Sequence, residues 1–366
     1  MKQPLLIIIV FLFCFSSYSQ QDNNYFSLEA DYFYGNIYQH NQDISRLITG
    51  HPTGLILGFN KKSFGFKEWE RQYNSPDWGF SFIYQDMKEP ILGENYALYG
   101  HFNFYFIKRH LMLTVGTGLA YNTNPYNSEN NFEGNAYGSS ILSSTFFRFN
   151  YIKNNIWKGV GFHAGIMFVH YSNGNYKAPN TSTNTIALNA GLSYQLDYQD
   201  LPEYNTNRDG LDYSERIKYN FVFRSGLNES DVIGLGKHPF YTISAFAGKR
   251  LNYKSTLQVG TDVFISYFLK DYIQYRSIVY PEDNLTGDED YKRVGVFIGH
   301  ELRFHKLAIV TQMGYYVYWP YEYETRFYHR IGVKRYFYQD KIFAAVTIKS
   351  HYAQAEAFEF GIGIRL

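Results

Sequence analysis

Phe358, Phe360, Ile362, Ile364 and Leu366 alternate one for one with Glu359, Gly361, Gly363 and Arg365. An extended backbone sends successive side chains to opposite faces, so a period of two places five large apolar groups on one side of a strand and small or charged groups on the other. The same pattern recurs down the chain, apolar toward lipid and polar or small toward a lumen. Beyond residue 20 no uninterrupted apolar stretch reaches the length of a membrane-crossing helix, and the mean hydropathy is −0.35. The aromatic content is the other constraint. Tyr (37), Phe (32) and Trp (4) make up 20% of the 366 residues. A soluble core has little use for so many tyrosines, whereas outer-membrane barrels carry aromatic girdles at both membrane interfaces. The expected fold is all-β, an antiparallel transmembrane outer-membrane β-barrel. The rival fold is an aromatic-rich soluble β-protein, and the N-terminal segment weighs against it.

Met1-Lys2-Gln3 is a short basic start, Leu5 to Phe15 an apolar core too short to span as a helix, and Ser17-Tyr18-Ser19 a cleavage-type ending. Together they read as a signal peptide, residues 1–19, with cleavage after Ser19. The only cysteine, Cys14, lies inside that apolar core. Leu12-Phe13 before it lacks the small residue that a lipoprotein cysteine needs, so neither a lipid anchor nor a disulfide framework is expected. A net charge of +1 gives no basis for nucleic-acid binding or for a polybasic membrane patch.

Strands are expected at about 25–34, 53–61, 78–86, 96–107, 111–121, 140–152, 157–172, 185–196, 217–225, 240–250, 254–267, 291–304, 307–318, 328–337, 342–351 and 356–366. Short turns fall at Lys108-Arg109-His110, Lys153-Asn154-Asn155, Asn252-Tyr253, His305-Lys306 and Gln339-Asp340. Longer loops fall between them at 122–139, 173–184, 227–239, 268–290 and 319–327. With a periplasmic N-terminus, all the short turns land on the periplasmic side, as such barrels require. The connections 62–77 and 197–216 are too long for that rule, and Phe66 to Glu70 reads as a short helix within the first. The strand count is therefore roughly 12–16. The expected organisation is a single barrel over 20–366, with no linker between two domains. Gly100-His101 through Leu111 to Gly118 echoes Gly299-His300 through Leu307 to Gly314, a faint sign of an internal repeat.

One segment carries chemistry. Phe162, Ala164, Ile166, Phe168, His170 and Ser172 share a strand face, opposite Gly161, His163, Gly165, Met167 and Val169. The first set is the apolar, lipid-facing one, and it ends in a histidine and a serine two residues apart on the same side. A histidine so placed is able to take the hydroxyl proton and leave serine as a nucleophile. The bland reading seats both at the headgroup level with nothing to do. Elsewhere, His351 points to the lumen with Lys349, and His101, His163 and His300 lie on separate strands. No His/Asp/Glu spacing matches a metal site. Asn180-Thr181-Ser182 and Asn284-Leu285-Thr286 fit a glycosylation pattern that a bacterial barrel need not use. No phosphate loop is present, so no metal and no cofactor are expected.

His170-Tyr171-Ser172-Asn173-Gly174, followed by Pro179-Asn180, resembles the active-site motif of the lipid A 3-O-deacylase family (PagL-type). The likeness runs closely from His170 to Tyr194. It extends loosely over 25–197 through Trp69, Pro76, Leu92-Gly93 and Gly138-Ser139. Residues 198–366 exceed the small members and resemble the longer ones, known as acyloxyacyl hydrolases, and would add further barrel strands. The resemblance implies an esterase in the outer membrane of a Gram-negative bacterium, acting on an ester-linked acyl chain of lipid A in lipopolysaccharide of the outer leaflet. Ser172 would be the nucleophile and His170 the general base, with the Asn173 side chain and the Gly174 N–H as oxyanion donors. One such donor is worth roughly 10²–10³ in rate. Where that family has an acidic third member this chain has Asn184, which is able to orient the histidine but not to balance its charge. Glu133, Glu229 and Glu356 lie in or beside loops on the same side and are the alternative acids. The C-terminal strand also resembles the signal read by barrel-assembly machinery. The competing function is a non-catalytic barrel, a passive pore or structural protein, that inherited the motif.

Overall fold

The computed structural model describes residues 24–40, 42–207, 213–352 and 354–366. The expected signal peptide 1–19, with Cys14 and the cleavage point after Ser19, lies outside the described residues. Sixteen antiparallel strands form. The first eight are β1 (Phe26–Ile37), β2 (Thr53–Lys61), β3 (Asp77–Asp86), β4 (Glu94–Phe106), β5 (Leu111–Asn122), β6 (Ile141–Trp157), β7 (Val160–Ser172) and β8 (Thr183–Gln195). The second eight are β9 (Lys218–Asn228), β10 (His238–Arg250), β11 (Ser255–Ser266), β12 (Lys292–Phe304), β13 (Leu307–Tyr318), β14 (Phe327–Phe337), β15 (Ile342–His351) and β16 (Gln354–Arg365). Among the described residues two α-helices lie outside the strands, α1 (Glu68–Gln72) and α2 (Tyr267–Val279).

These strands do not make the single barrel expected over 20–366. β8 returns to pair with β1, from Ser27 opposite Gln195 to Ile37 opposite Thr185, and closes one eight-stranded barrel. β16 pairs with β9 and closes another. The physical reason lies in what fills the interiors. Eight strands leave a lumen just wide enough for side chains, whereas sixteen leave an aqueous channel. Here the inward residues are packed and paired. In the first barrel the Arg148 guanidinium lies 2.5 Å from Glu29 and 2.8 Å from Asp31, and His163 lies 2.6 Å from Asp31. In the second, Arg330 bonds Asp262 at 2.9 Å and Glu359 at 2.5 Å. Arg293 and Lys349 both hold Glu356, at 2.6 and 2.7 Å. The void between Arg224, Phe246, Gln258 and Lys334 is about 10 Å³, no more than a single water needs. His351 lines the same lumen, 3.1 Å from the Tyr316 hydroxyl.

The outward faces carry the opposite chemistry. Leu188 (68% exposed) and Ile298 (65%) typify bands of Leu, Ile, Val and Phe around both barrels. In β16 Phe360, Ile362 and Ile364 face out while Glu359, Gly361 and Gly363 face in. In sequence the two barrels are joined by residues 196–217, of which 208–212 lie outside the described residues.

The barrels touch at both ends. At the end carrying the short β4–β5 turn, the Tyr73 ring lies 4.4 Å and the Phe102 ring 5.5 Å from that of Phe304, and Lys254 sits over Tyr73. At the opposite end the β7–β8 connection meets the β9–β10 connection and β16, which is where the candidate site lies.

Candidate active site

β7 obeys the pleat to its last turn. His163, Met167, Val169 and Tyr171 are buried in the lumen, while Phe162 and Ile166 are exposed on the outer wall. His170 therefore faces outward and is half-buried. The β7–β8 register sets Asn184 directly opposite it, on the same face and within reach. The His170 Nδ1 to Asn184 Oδ1 distance is 2.7 Å. An amide oxygen there accepts the Nδ1–H proton, which leaves Nε2 with its lone pair as the basic nitrogen. The sequence-predicted pair of His170 and Asn184 is thus brought together.

Ser172 is held differently. Its Oγ lies 3.1 Å from Asn180 Oδ1 and 3.0 Å from Asn180 Nδ2, and it accepts the Gly174 N–H at 3.0 Å. It is only 2% exposed. No hydrogen bond joins Ser172 to His170 among the described residues, although both point to one face. The Asn173 side-chain amide donates to Lys177 O at 2.6 Å and to Pro179 O at 3.4 Å, so it braces its own loop. The Asn173 backbone N–H goes to Asn180 Oδ1 at 2.9 Å. Of the two expected oxyanion donors, the Gly174 N–H is aimed at the serine oxygen and the Asn173 amide is not.

Asn180 is the residue to which sequence reasoning gave no role. It ties Ser172, Asn173 and Asn175 together. Its only sequence signal is its place after Pro179 in the resembling motif. The alternative acids lie elsewhere. Glu133 forms an exposed pair with Arg46 at 3.9 Å. Glu229 accepts the Ala178 N–H at 3.0 Å, and Glu356 is locked in the second lumen. None of the three bonds His170.

A buried trio of Glu29, Asp31 and His163 places three ligand-type atoms within 4.8 Å of one another. The Arg148 guanidinium occupies the position that a cation would take between the two carboxylates. The trio belongs to the lumen face, opposite the face of His170, and acts as a structural charge network.

A family model described as "Lipid A 3-O-deacylase (PagL)" matches residues 53–193, inside the first barrel and through His170, Ser172 and Asn184. A second, "Acyloxyacyl hydrolase, C-terminal domain", matches 217–366, the whole second barrel. The chain belongs to the lipid A 3-O-deacylase family. The two matches divide where the barrels divide, so in this member of the deacylase family each matched region falls within one closed barrel. No curated protein matches the chain. Among solved structures, a triple mutant of Rhodopseudomonas blastica porin is 12% identical over 93% of this chain and 100% of its own, with a TM-score of 0.20. A chain described as "Asymmetric conductivity of engineered proteins" is 11% identical over the same shares, with a TM-score of 0.19. The fold of this deacylase-family chain stands on its own strand pairing.

Proposed function

We propose that the protein is an outer-membrane esterase that hydrolyses an ester-linked acyl chain of lipid A, with Ser172 as nucleophile and His170 as its base. The observation that carries this reading is the His170–Asn184 bond of 2.7 Å on the outer wall of β7, two residues before Ser172. It fixes the ring tautomer that a general base needs. It also does so on the surface that meets lipid, where an acyl ester would arrive from the outer leaflet rather than through a lumen. The deacylase-family match over these residues supports the substrate class.

In the reaction, the Ser172 hydroxyl turns from Asn180 toward His170 Nε2, a rotation about one side-chain bond. Catalytic hydrogen bonds are often slack before substrate binds. His170 takes the proton as Ser172 Oγ bonds to the ester carbonyl. The Gly174 N–H, freed as the hydroxyl moves, donates to the developing oxyanion. Collapse expels the sugar alkoxide, which recovers the proton from His170 and leaves an acyl-serine. Water, deprotonated by His170, then releases the fatty acid and restores Ser172. No step needs a metal. Insertion through barrel-assembly machinery fits the amphipathic β16.

The non-catalytic reading has one observation in its favour, the bonding of Ser172 to Asn180 instead of His170. As a passive pore it has the filled lumens against it. Mass spectra of lipid A separate the two. Cells expressing the native chain should lose the mass of one hydroxyacyl group, and cells expressing Ser172→Ala or His170→Ala should not. The double variant should be no worse than either single one, because the pair works as a unit. Wild-type processing by Ser172→Ala would leave the non-catalytic barrel as the better account.

A further inference from the structure

The loop that holds the candidate nucleophile is not anchored by its own barrel alone. Asn180, which binds Ser172, passes its side-chain N–H to Asn175 Oδ1 at 2.9 Å. Asn175 is in turn tied to the second barrel twice. Its side-chain N–H donates to Asp231 Oδ1 at 3.2 Å, and its carbonyl accepts the Glu229 N–H at 2.8 Å. Glu229 Oε2 accepts the Ala178 N–H at 3.0 Å, so this one residue grips the loop at two points. The Lys237 ammonium lies 3.6 Å from the Tyr176 ring centre. Gly174, at φ +60°, lies against the Phe358 ring of β16, where a Cβ would stand 2.1 Å from Cε2. Only glycine fits that approach, and its N–H is the one aimed at Ser172. Asn175 and Glu229 are buried, so these bonds are sheltered from competing water.

We infer that the second barrel is a positioning device for the candidate nucleophile of the first. Glu229 and Asp231 of the β9–β10 connection, through Asn175 and Asn180, set where the Ser172 hydroxyl and the Gly174 N–H point. The inference rests on the reading of Ser172 as nucleophile. Neither acid touches the ester, so both are positioning residues. Displacing reacting groups by about 1 Å costs as much as 10²-fold in rate. Their loss acts on kcat and leaves the bilayer-facing surface that binds substrate unaltered.

The test uses the full-length protein in detergent–lipopolysaccharide micelles, with heat-modifiable gel mobility as the check that both barrels are folded. Glu229→Ala and Asp231→Ala are expected to lower kcat by about tenfold or more with KM unchanged. Glu229→Gln and Asp231→Asn keep an acceptor oxygen and are expected to stay near the native rate, a rescue that lost charge or general destabilisation would not give. If Glu229→Ala fails to fold, Asp231→Ala at the rim of the contact decides the matter alone. An inactive Ser172→Ala beside native kcat in the alanine variants overturns the positioning role. A rise in KM alone overturns it too, by making these residues substrate contacts. An active Ser172→Ala overturns instead the reading on which the inference rests.

Discussion

Asn184 concentrates what is unusual about this site. Its Oδ1, 2.7 Å from His170 Nδ1, holds the ring and its tautomer but supplies no negative charge when the ring becomes imidazolium. In a serine triad the charged partner is worth up to about 10⁴ in kcat when lost with the wrong tautomer; here the tautomer is already right and only the charge is missing. Asn184→Asp is therefore expected to raise the initial rate of ester release by about tenfold, and Asn184→Ala to lower it by a similar factor. A rate for Asn184→Asp at or below native, in folded protein, would remove the charge argument. The sequence allowed His170 and Ser172 to be paired because a pleat has a strict period, so i and i+2 share a face; Asn184 came only from the resemblance to the deacylase motif. It did not allow Asn180 to be chosen, because a loop has no period. Which amide reaches Ser172 depends on how residues 173–182 fold back, and that is decided partly by Glu229 and Asp231, some fifty residues away in sequence.

Strands were the most legible elements, and their ends and the helices were less so. All sixteen expected intervals contain a strand. The turn expected at Lys153-Asn154-Asn155 is instead an irregularity within β6, which continues to Trp157 and turns at Lys158-Gly159. Asn155 accommodates this at φ +50°, a conformation asparagine tolerates better than most residues, and so it reads as a turn when viewed by composition. The short helix expected at Phe66 to Glu70 is α1, begun two residues later behind Lys67. α2 takes up most of the first half of the segment expected as a loop at 268–290, and Phe268, Leu269, Tyr272 and Ile273 have helical spacing. These residues pack with Tyr321 and Tyr323, so the helix lies over one end of the second barrel. With the short turns on the periplasmic side, the exposed segment after α2 at 282–288 faces outward from the cell. Proteinase K on intact cells should cleave there and spare Lys108-Arg109-His110. Loop 173–182, held by the second barrel and largely buried, should also resist. Cleavage at the β4–β5 turn in unbroken cells would invert the topology.

Two barrels and one barrel of sixteen strands produce the same alternation, so the outward pattern carried no information on closure. The inward residues and the connection 196–217 did. That connection is too long for a periplasmic turn because it is the passage between domains. Likewise, Arg148, Arg330, Glu359 and Asp262 on inward positions are tolerable only where a narrow lumen pairs them. The hairpin echo falls on the fourth and fifth strands of each barrel, β4–β5 and β12–β13. The buried arginines Arg148 and Arg330 each lie on the sixth strand, β6 and β14. If each lumen network stabilises its own barrel, the two should be separable by mutation. Arg148→Ala strands Glu29 and Asp31, and Arg330→Ala strands Asp262 and Glu359; breaking a buried pair in this way costs about 3–5 kcal/mol. Trp78 belongs to β3 of the first barrel and Trp319 to the β13–β14 connection of the second, so single-tryptophan variants report on one barrel each. In urea titrations followed by fluorescence, Arg148→Ala should lower the midpoint seen by Trp78 and leave that of Trp319 nearly unchanged, and Arg330→Ala should do the reverse. Midpoints that move together in both variants would show that the interface of Tyr73, Phe102 and Phe304 with the loop contacts at Glu229 and Asp231 fuses the barrels into one cooperative unit rather than two separable ones.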